Sequence, residues 1–122
     1  MSESAQKSSK WSWLQWSVAG LVAVGLLAVA VPNFVKARAT SCANACINNL
    51  RQIDAAANQF ALEHQLATGT PIHFPNDLTP YIKLNSQGKV PECPASGIYE
   101  VHQVGQTPTC SLAFTVSGHA LP

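Results

Sequence analysis

The chain has 122 residues, a net charge of +1, and only 11% charged residues, well below the quarter that is usual for soluble domains. The basic residues form no patch that could follow a phosphate backbone, so no nucleic-acid partner is expected. The six carboxylates are scattered rather than clustered. This length and composition predict one small domain behind an N-terminal apolar segment.

An uncharged stretch separates Lys10 from Lys36 near the N-terminus. A helix of 21 residues is about 31 Å long, which is enough to cross a hydrocarbon core of about 30 Å. We therefore predict a disordered tail over residues 1–10 and a transmembrane helix over residues 11–35. Three tryptophans, whose rings favour the headgroup layer, lie at the N-terminal end of this helix: Trp11, Trp13 and Trp16.

Two further features of the apolar stretch leave alternatives open. Ala28-Val29-Ala30 matches a signal-peptidase site, so the chain could instead be a secreted small binding domain released near Ala30. The stretch exceeds the usual h-region of about 7 to 15 residues, which favours retention. Gly20 and Gly25 belong to a small-residue stripe that could admit a partner helix. The ordinary alanine and glycine content of a membrane helix is the favoured explanation of that stripe.

The helical pattern continues beyond Pro32, which we expect to kink it, to about residue 66, where Gly69-Thr70-Pro71 follows. A loop with a helical turn around residues 77–82 comes next, then strands over 98–102 and 109–116. The predicted fold class is α+β, with a long N-terminal helix packed on a small C-terminal antiparallel sheet. One face of the helix is predicted to be buried: Cys46, Leu50, Ile53, Ala57, Phe60, Ala61 and His64.

Two pairs of cysteines carry the next predictions. Cys42 and Cys46 lie one helical turn apart, a loose match to metal-ligand spacing, but packing as small hydrophobic residues is the favoured interpretation. Cys93 and Cys110 flank the predicted hairpin. We predict a disulfide between them, which would close a loop of about 17 residues and contribute about 3 kcal/mol. Two separate thiols, or a bridge from Cys93 to Cys46, are the alternatives.

No enzymatic constellation is evident in the sequence. The histidines fall in no recognised catalytic or metal-binding motif, and each is predicted to be a surface or capping residue: His64, His73, His102 and His119. Glu92 and Glu100 supply too few oxygen ligands for a calcium site. The expectation is therefore a protein that is not an enzyme and has no catalytic residues, no metal site and no cofactor.

Several stretches resemble type IV pilin-like proteins, and especially the pseudopilins of type II secretion. The longest is "AVAVPNFVKARATSCANACINNLRQIDAAANQFALE" (28–63), and "PYIK" (80–83), "PECPASGIY" (91–99) and "PTCSLAFTVSGHALP" (108–122) resemble the short C-terminal sheet of small members. The resemblance covers roughly residues 20–122. It implies a structural, single-pass protein of the bacterial inner membrane that contacts lipid and other pilin-like or secretion-system subunits. Its N-terminus would be cytoplasmic and residues 36–122 would form an external domain.

The chain departs from that family at the processing site. Members have a Gly followed by Phe or Met. Four residues after that Phe or Met they have a Glu, which pairs with the terminal amine of a neighbouring subunit. Counted back from Pro32, these positions hold Lys10, Trp11 and Gln15. The resemblance therefore implies a diverged member in which cleavage and ordinary filament assembly lack their usual residues.

Overall fold

A computed structural model describes the backbone of residues 3–122 and the side chains of residues 10–122. Helix α1 (Glu3–Glu63) dominates it and runs through Pro32 without a break. The helix begins earlier than predicted, so the part of the expected disordered tail that follows residue 2 is helical. Residues 1 and 2 of that tail lie outside the described residues.

The end of α1 has the geometry of a Schellman motif. Gln65 adopts a left-handed conformation with φ 53°, the amide of Leu66 donates to the carbonyl of Ala61 at 2.8 Å, and that of Gln65 donates to Leu62 at 3.3 Å. These two hydrogen bonds satisfy carbonyls that the last helical turn would otherwise leave unpaired. The helix thus ends at Glu63, before the Gly69 that we expected to terminate it.

The chain divides into two compact units, one ending at Arg38 and the other spanning Ala39–Pro122. From Glu3 onward the first unit is helical, and from Lys10 onward its side chains are exposed. Within the described residues, α1 is the one helix long and apolar enough to cross a membrane, with a mean hydropathy of 2.3 over its most apolar window. The prediction of a helix that could serve as a membrane span is confirmed at this level.

The second unit encloses a hydrophobic core of its own. The later part of α1 contributes a buried face, to which the loop after it and the short sheet add apolar side chains. The buried members are Cys46, Leu50, Ile53, Ala56, Ala57, Ala61, Ile72, Leu78, Ile82, Cys93, Tyr99, Val101, Val104 and Cys110. The face predicted from periodicity agrees except at its end, where Phe60 is half-buried and His64 is exposed.

The sheet is small and antiparallel. Strands β1 (Tyr99–Glu100) and β2 (Thr109–Cys110) pair with Tyr99 opposite Cys110. Both strands are shorter than predicted. Strand β2 ends early because the chain folds into successive turns after Cys110, with the amide of Ala113 donating to the Cys110 carbonyl at 2.9 Å. A single 3₁₀ turn (Thr79–Tyr81) occurs where a helical turn was expected. One long helix and a two-stranded sheet confirm the α+β class.

Candidate metal centre

Four buried side chains from four separate segments converge inside the second unit. Cys46 lies on α1, Cys93 in the loop before β1, Cys110 on β2, and His119 after the final turns. Their potential ligand atoms, three sulfurs and one imidazole nitrogen, all lie within 4.8 Å of one another. This Cys₃His set is one of the ligand combinations that structural zinc sites use.

Cys46 is positioned by the buried face of α1, one helical turn before Leu50. Both side chains are fully buried. Burial raises the pKa of the Cys46 thiol to about 12, although a hydrogen bond with the Tyr99 hydroxyl opposes the rise. The amide Nδ2 of Asn49 donates to that hydroxyl oxygen at 3.0 Å. Tyr99 is thereby held against the cluster by a second residue of the same helix.

Cys93 lies in a tight turn that directs backbone amides at its sulfur. Burial alone would raise the Cys93 pKa, but hydrogen bonds from the amides of Ala95 and Gly97, together with Cys46 and Cys110, lower it instead. Ser96 has φ 66°, and its amide donates to the Cys93 carbonyl at 2.9 Å. Amide donors stabilise a thiolate, so this turn prepares Cys93 for the charged form that binds metal.

Cys110 is placed by the strand pairing and by the absence of a side chain at Gly97. The amide of Ser111 donates to the Ile98 carbonyl and the amide of Ile98 donates to the Ser111 hydroxyl, both at 2.9 Å. These bonds extend the β1–β2 pairing beyond its two ladder residues. A β-carbon on Gly97 would lie 2.5 Å from the Cys110 sulfur. Only glycine leaves room for this sulfur next to the Cys93 turn.

His119 is brought to the cluster by a close approach of the C-terminal segment to α1. Gly118 has φ +88°, and a β-carbon on it would lie 3.0 Å from that of Ala43. The side chain of His119 is 1% exposed, and its Nδ1 lies 3.6 Å from the Cys93 sulfur. A histidine this deeply buried among three thiols differs from the three other histidines, which are exposed.

A surface groove of about 620 Å³ borders the cluster. The segment from Gly88 to Glu92 lines it, and so do Cys93, Gly97 and Tyr99. The groove therefore borders the side of the cluster that holds Cys93, which is itself buried.

Two predictions for the cysteines and histidines differ from the structure. All four cysteines are free, so the predicted Cys93–Cys110 disulfide is not formed in it. The surface assignment is correct for His64, His73 and His102 but wrong for His119, which the C-terminal turns carry into the core. Cys42 is half-buried and lies outside the cluster, so its spacing from Cys46 does not create a two-ligand site.

The sequence did not predict that these four residues converge, and the prediction was that the chain has no metal site. No two of them have the short C-x₂₋₄-C spacing by which zinc sites are usually recognised. One signal was present in "CPASG" (93–97), where a cysteine is followed by a turn ending in glycine. That segment places Cys93 in a turn, and the other three residues of the cluster come from distant parts of the chain.

The positions singled out in the apolar segment all lie within α1. Trp11, Trp13 and Trp16 are exposed, as are the degenerate processing positions Lys10 and Gln15. A β-carbon on Gly20 or Gly25 would meet nothing within 4 Å. The small-residue stripe is accordingly open along its length.

No protein-family model matches the chain, and neither a curated protein nor a solved structure does. The resemblance to pilin-like proteins therefore stays a prediction that rests on the stretches quoted above.

Proposed function

We propose that this protein is a structural, single-pass membrane subunit of the pilin-like, pseudopilin type and not an enzyme. The observation that carries the proposal is the composition of α1. Its earlier part presents apolar side chains outward from Trp11 to Val35, and its later part supplies the core of a small domain through residues such as Leu50 and Ile53. One helix thus combines a possible membrane span with a domain scaffold.

Two further features support this interpretation. Burying exposed apolar side chains in lipid is favourable, and the stretch from Trp11 to Val31 contains no charge that would oppose insertion. The second unit is α+β with a short antiparallel hairpin, as the resemblance implies for small pseudopilins. In this role the protein acts through helix packing within the bilayer, with lipid and other pilin-like or secretion-system subunits as partners.

Fractionation and mass spectrometry of the full chain expressed in a bacterial host test the membrane part of the proposal. We expect a protein that begins at or near Met1, stays in the membrane pellet after carbonate extraction, and is released by detergent. Protease added to spheroplasts should remove the domain after Ala39 while sparing the apolar helix. A soluble product that begins at Val31 would instead establish the alternative, a small secreted binding domain.

Crosslinking within the bilayer tests the pilin-like part. A photoreactive residue at Gly20 or Gly25, where the helix offers an open small-residue surface, should crosslink to a second membrane helix when pseudopilin subunits are co-expressed. The same probe at Trp13, near the predicted headgroup layer, is the matched control and should react mainly with lipid. Equal crosslinking at all three positions would contradict a specific helix-packing surface.

A further inference from the structure

We propose that Cys46, Cys93, Cys110 and His119 bind one zinc ion that fastens the helix, the loop, the sheet and the C-terminal segment together. This role is independent of the membrane function proposed above. It concerns how the second unit holds its fold, whichever machine or surface that unit serves.

Geometry is the first argument for a single ion. Ligands at the usual zinc distances, about 2.3 Å for sulfur and about 2.0 Å for nitrogen, lie about 3.5 to 3.8 Å from one another in a tetrahedron. The Cys93 sulfur and the His119 Nδ1 are already 3.6 Å apart. The whole set lies within 4.8 Å, so small side-chain rotations close it on one ion. An iron–sulfur cluster normally requires four cysteines, or two histidines on one iron.

The environment of the ligands is the second argument. Burying an imidazole is costly unless its nitrogens have partners. The His119 imidazole is 1% exposed, and its Nδ1 faces the Cys93 sulfur at 3.6 Å. The amides of Ala95 and Gly97 face the Cys93 sulfur, and the Tyr99 hydroxyl contacts Cys46. Such outer hydrogen bonds offset the negative charge of three thiolates and orient metal ligands.

The small amount of regular structure is the third argument. Outside α1, the described residues contain a three-residue 3₁₀ turn and two strands of two residues each. Domains of this size commonly need a disulfide or a metal to supplement a small core. An ion at this position would join segments as distant in sequence as Cys46 and His119. Its binding would release the three thiol protons to solvent and stabilise the folded state directly.

Metal analysis of the full chain, purified in detergent under anaerobic conditions, tests the proposal. We expect about one zinc per chain in the wild type, with release when a mercurial reagent titrates the thiols. Cys110→Ser should reduce the zinc content at least tenfold. The matched control, Cys42→Ser, changes a cysteine outside the cluster and should retain the wild-type content. Equal zinc in the C110S and C42S proteins would overturn the proposal, and iron in the same ratio would overturn the choice of metal.

A second pair of variants separates metal binding from misfolding. His119→Ala removes a ligand and should lose zinc, whereas His119→Cys restores a thiolate donor and should recover most of it. Cobalt added to the metal-free wild type should give the strong visible absorption of a tetrahedral thiolate site. The C110S protein should give only the weak spectrum of hydrated cobalt. If freshly isolated protein instead contains a Cys93–Cys110 disulfide and binds no cobalt, the zinc site is wrong.

Discussion

Gly97 and Cys110 approach each other so closely that a β-carbon on Gly97 would lie 2.5 Å from the Cys110 sulfur and 3.2 Å from carbons of Leu112. The φ angle of Gly97 lies outside the left-handed region, so any residue could adopt its backbone conformation. Glycine is required there because a side chain would clash. The contact couples the turn that presents Cys93 to the strand that presents Cys110. A side chain at position 97 would therefore disturb both of these segments.

Gly97→Ala should therefore destabilise the second unit by about 1–3 kcal/mol, the usual cost of forcing a methyl group into a packed site. Urea-dependent hydrogen exchange of the α1 amides from Ile53 to Ala61, followed by mass spectrometry in detergent, measures this free energy of unfolding. Gly88→Ala is the control, because its β-carbon has open space and only its φ of +72° is unfavourable. A smaller loss for G97A than for G88A would contradict the steric account.

A pair of leucines on the same helix tests which face of α1 forms the core. Leu50 is fully buried, whereas Leu62 is 79% exposed. Leu50→Ala should cost about 2–5 kcal/mol, because it removes buried methyl groups and leaves a cavity. Leu62→Ala should change the unfolding free energy by no more than about 0.5 kcal/mol. Thermal and urea unfolding of both variants, with exchange of the same amides as the readout, gives the comparison.

Glu63, the last residue of α1, raises the pKa of Tyr81, which lies in the 3₁₀ turn. The Tyr81 hydroxyl donates to the Glu63 carboxylate at 2.5 Å, and this hydrogen bond, with the negative charge of Glu63, raises the pKa of Tyr81 above its ordinary value of 10.0. Ionising Tyr81 would place a second negative charge beside the first. Glu63→Gln should therefore lower the Tyr81 pKa toward 10.0, so that its phenolate forms at lower pH.

Ultraviolet absorbance of the phenolate during an alkaline titration measures this shift. The protein has two tyrosines, and burial also raises the pKa of Tyr99, so Tyr81→Phe identifies which transition belongs to position 81. Glu100→Gln, a change of the same type in β1, should leave the transition of Tyr81 at the same pH as in the wild type. If E63Q and E100Q titrate alike, the carboxylate of Glu63 does not control Tyr81.

The first turns of α1 test the departure from the pilin-like pattern. With Lys10 and Gln15 at the positions of the family's Gly and Glu, the chain should be neither cut by a co-expressed prepilin peptidase nor assembled into filaments on its own. A carboxylate in lipid is costly unless paired and can therefore set the register of subunits, whereas a neutral amide cannot. Mass spectrometry and sheared cell fractions provide the readouts.

The double variant Lys10→Gly, Gln15→Glu is the gain-of-function counterpart. It should recover part of both processing and assembly, with processing recovering less because Trp11 occupies the position after the cut. Cleavage of the wild-type chain after Lys10, or homopolymers of wild type, would show that these departures have no effect.

The sequence predicted the parts of the fold that depend on local pattern. The three- and four-residue spacing of Leu50, Ile53 and Ala57 identified the buried face of α1, because helical periodicity is a property of neighbouring turns. The strands were overextended because β-forming residues after Cys110 also fit a series of turns, in which Phe114 is 93% exposed. The helix end was misplaced because Gln65, rather than a glycine, takes the left-handed position.

The cluster could not be predicted in the same way. Its ligands are separated by most of the second unit, and tertiary packing decides that His119 turns inward while His102 stays exposed. The one short cysteine spacing in the chain, from Cys42 to Cys46, contains only one residue of the cluster, because Cys42 is not part of it. The positions of Cys93 and Cys110 around the hairpin predicted a disulfide. The sequence did not show that Cys46 of α1 and His119 of the C-terminal turns join them.

The order of the four cluster residues along the chain determines when the proposed zinc site can be completed. His119 comes after every other buried residue, so a polypeptide that emerges N-terminus first presents three thiols before the imidazole that completes the set. The zinc site proposed above is therefore completed only once the C-terminal segment has been synthesised.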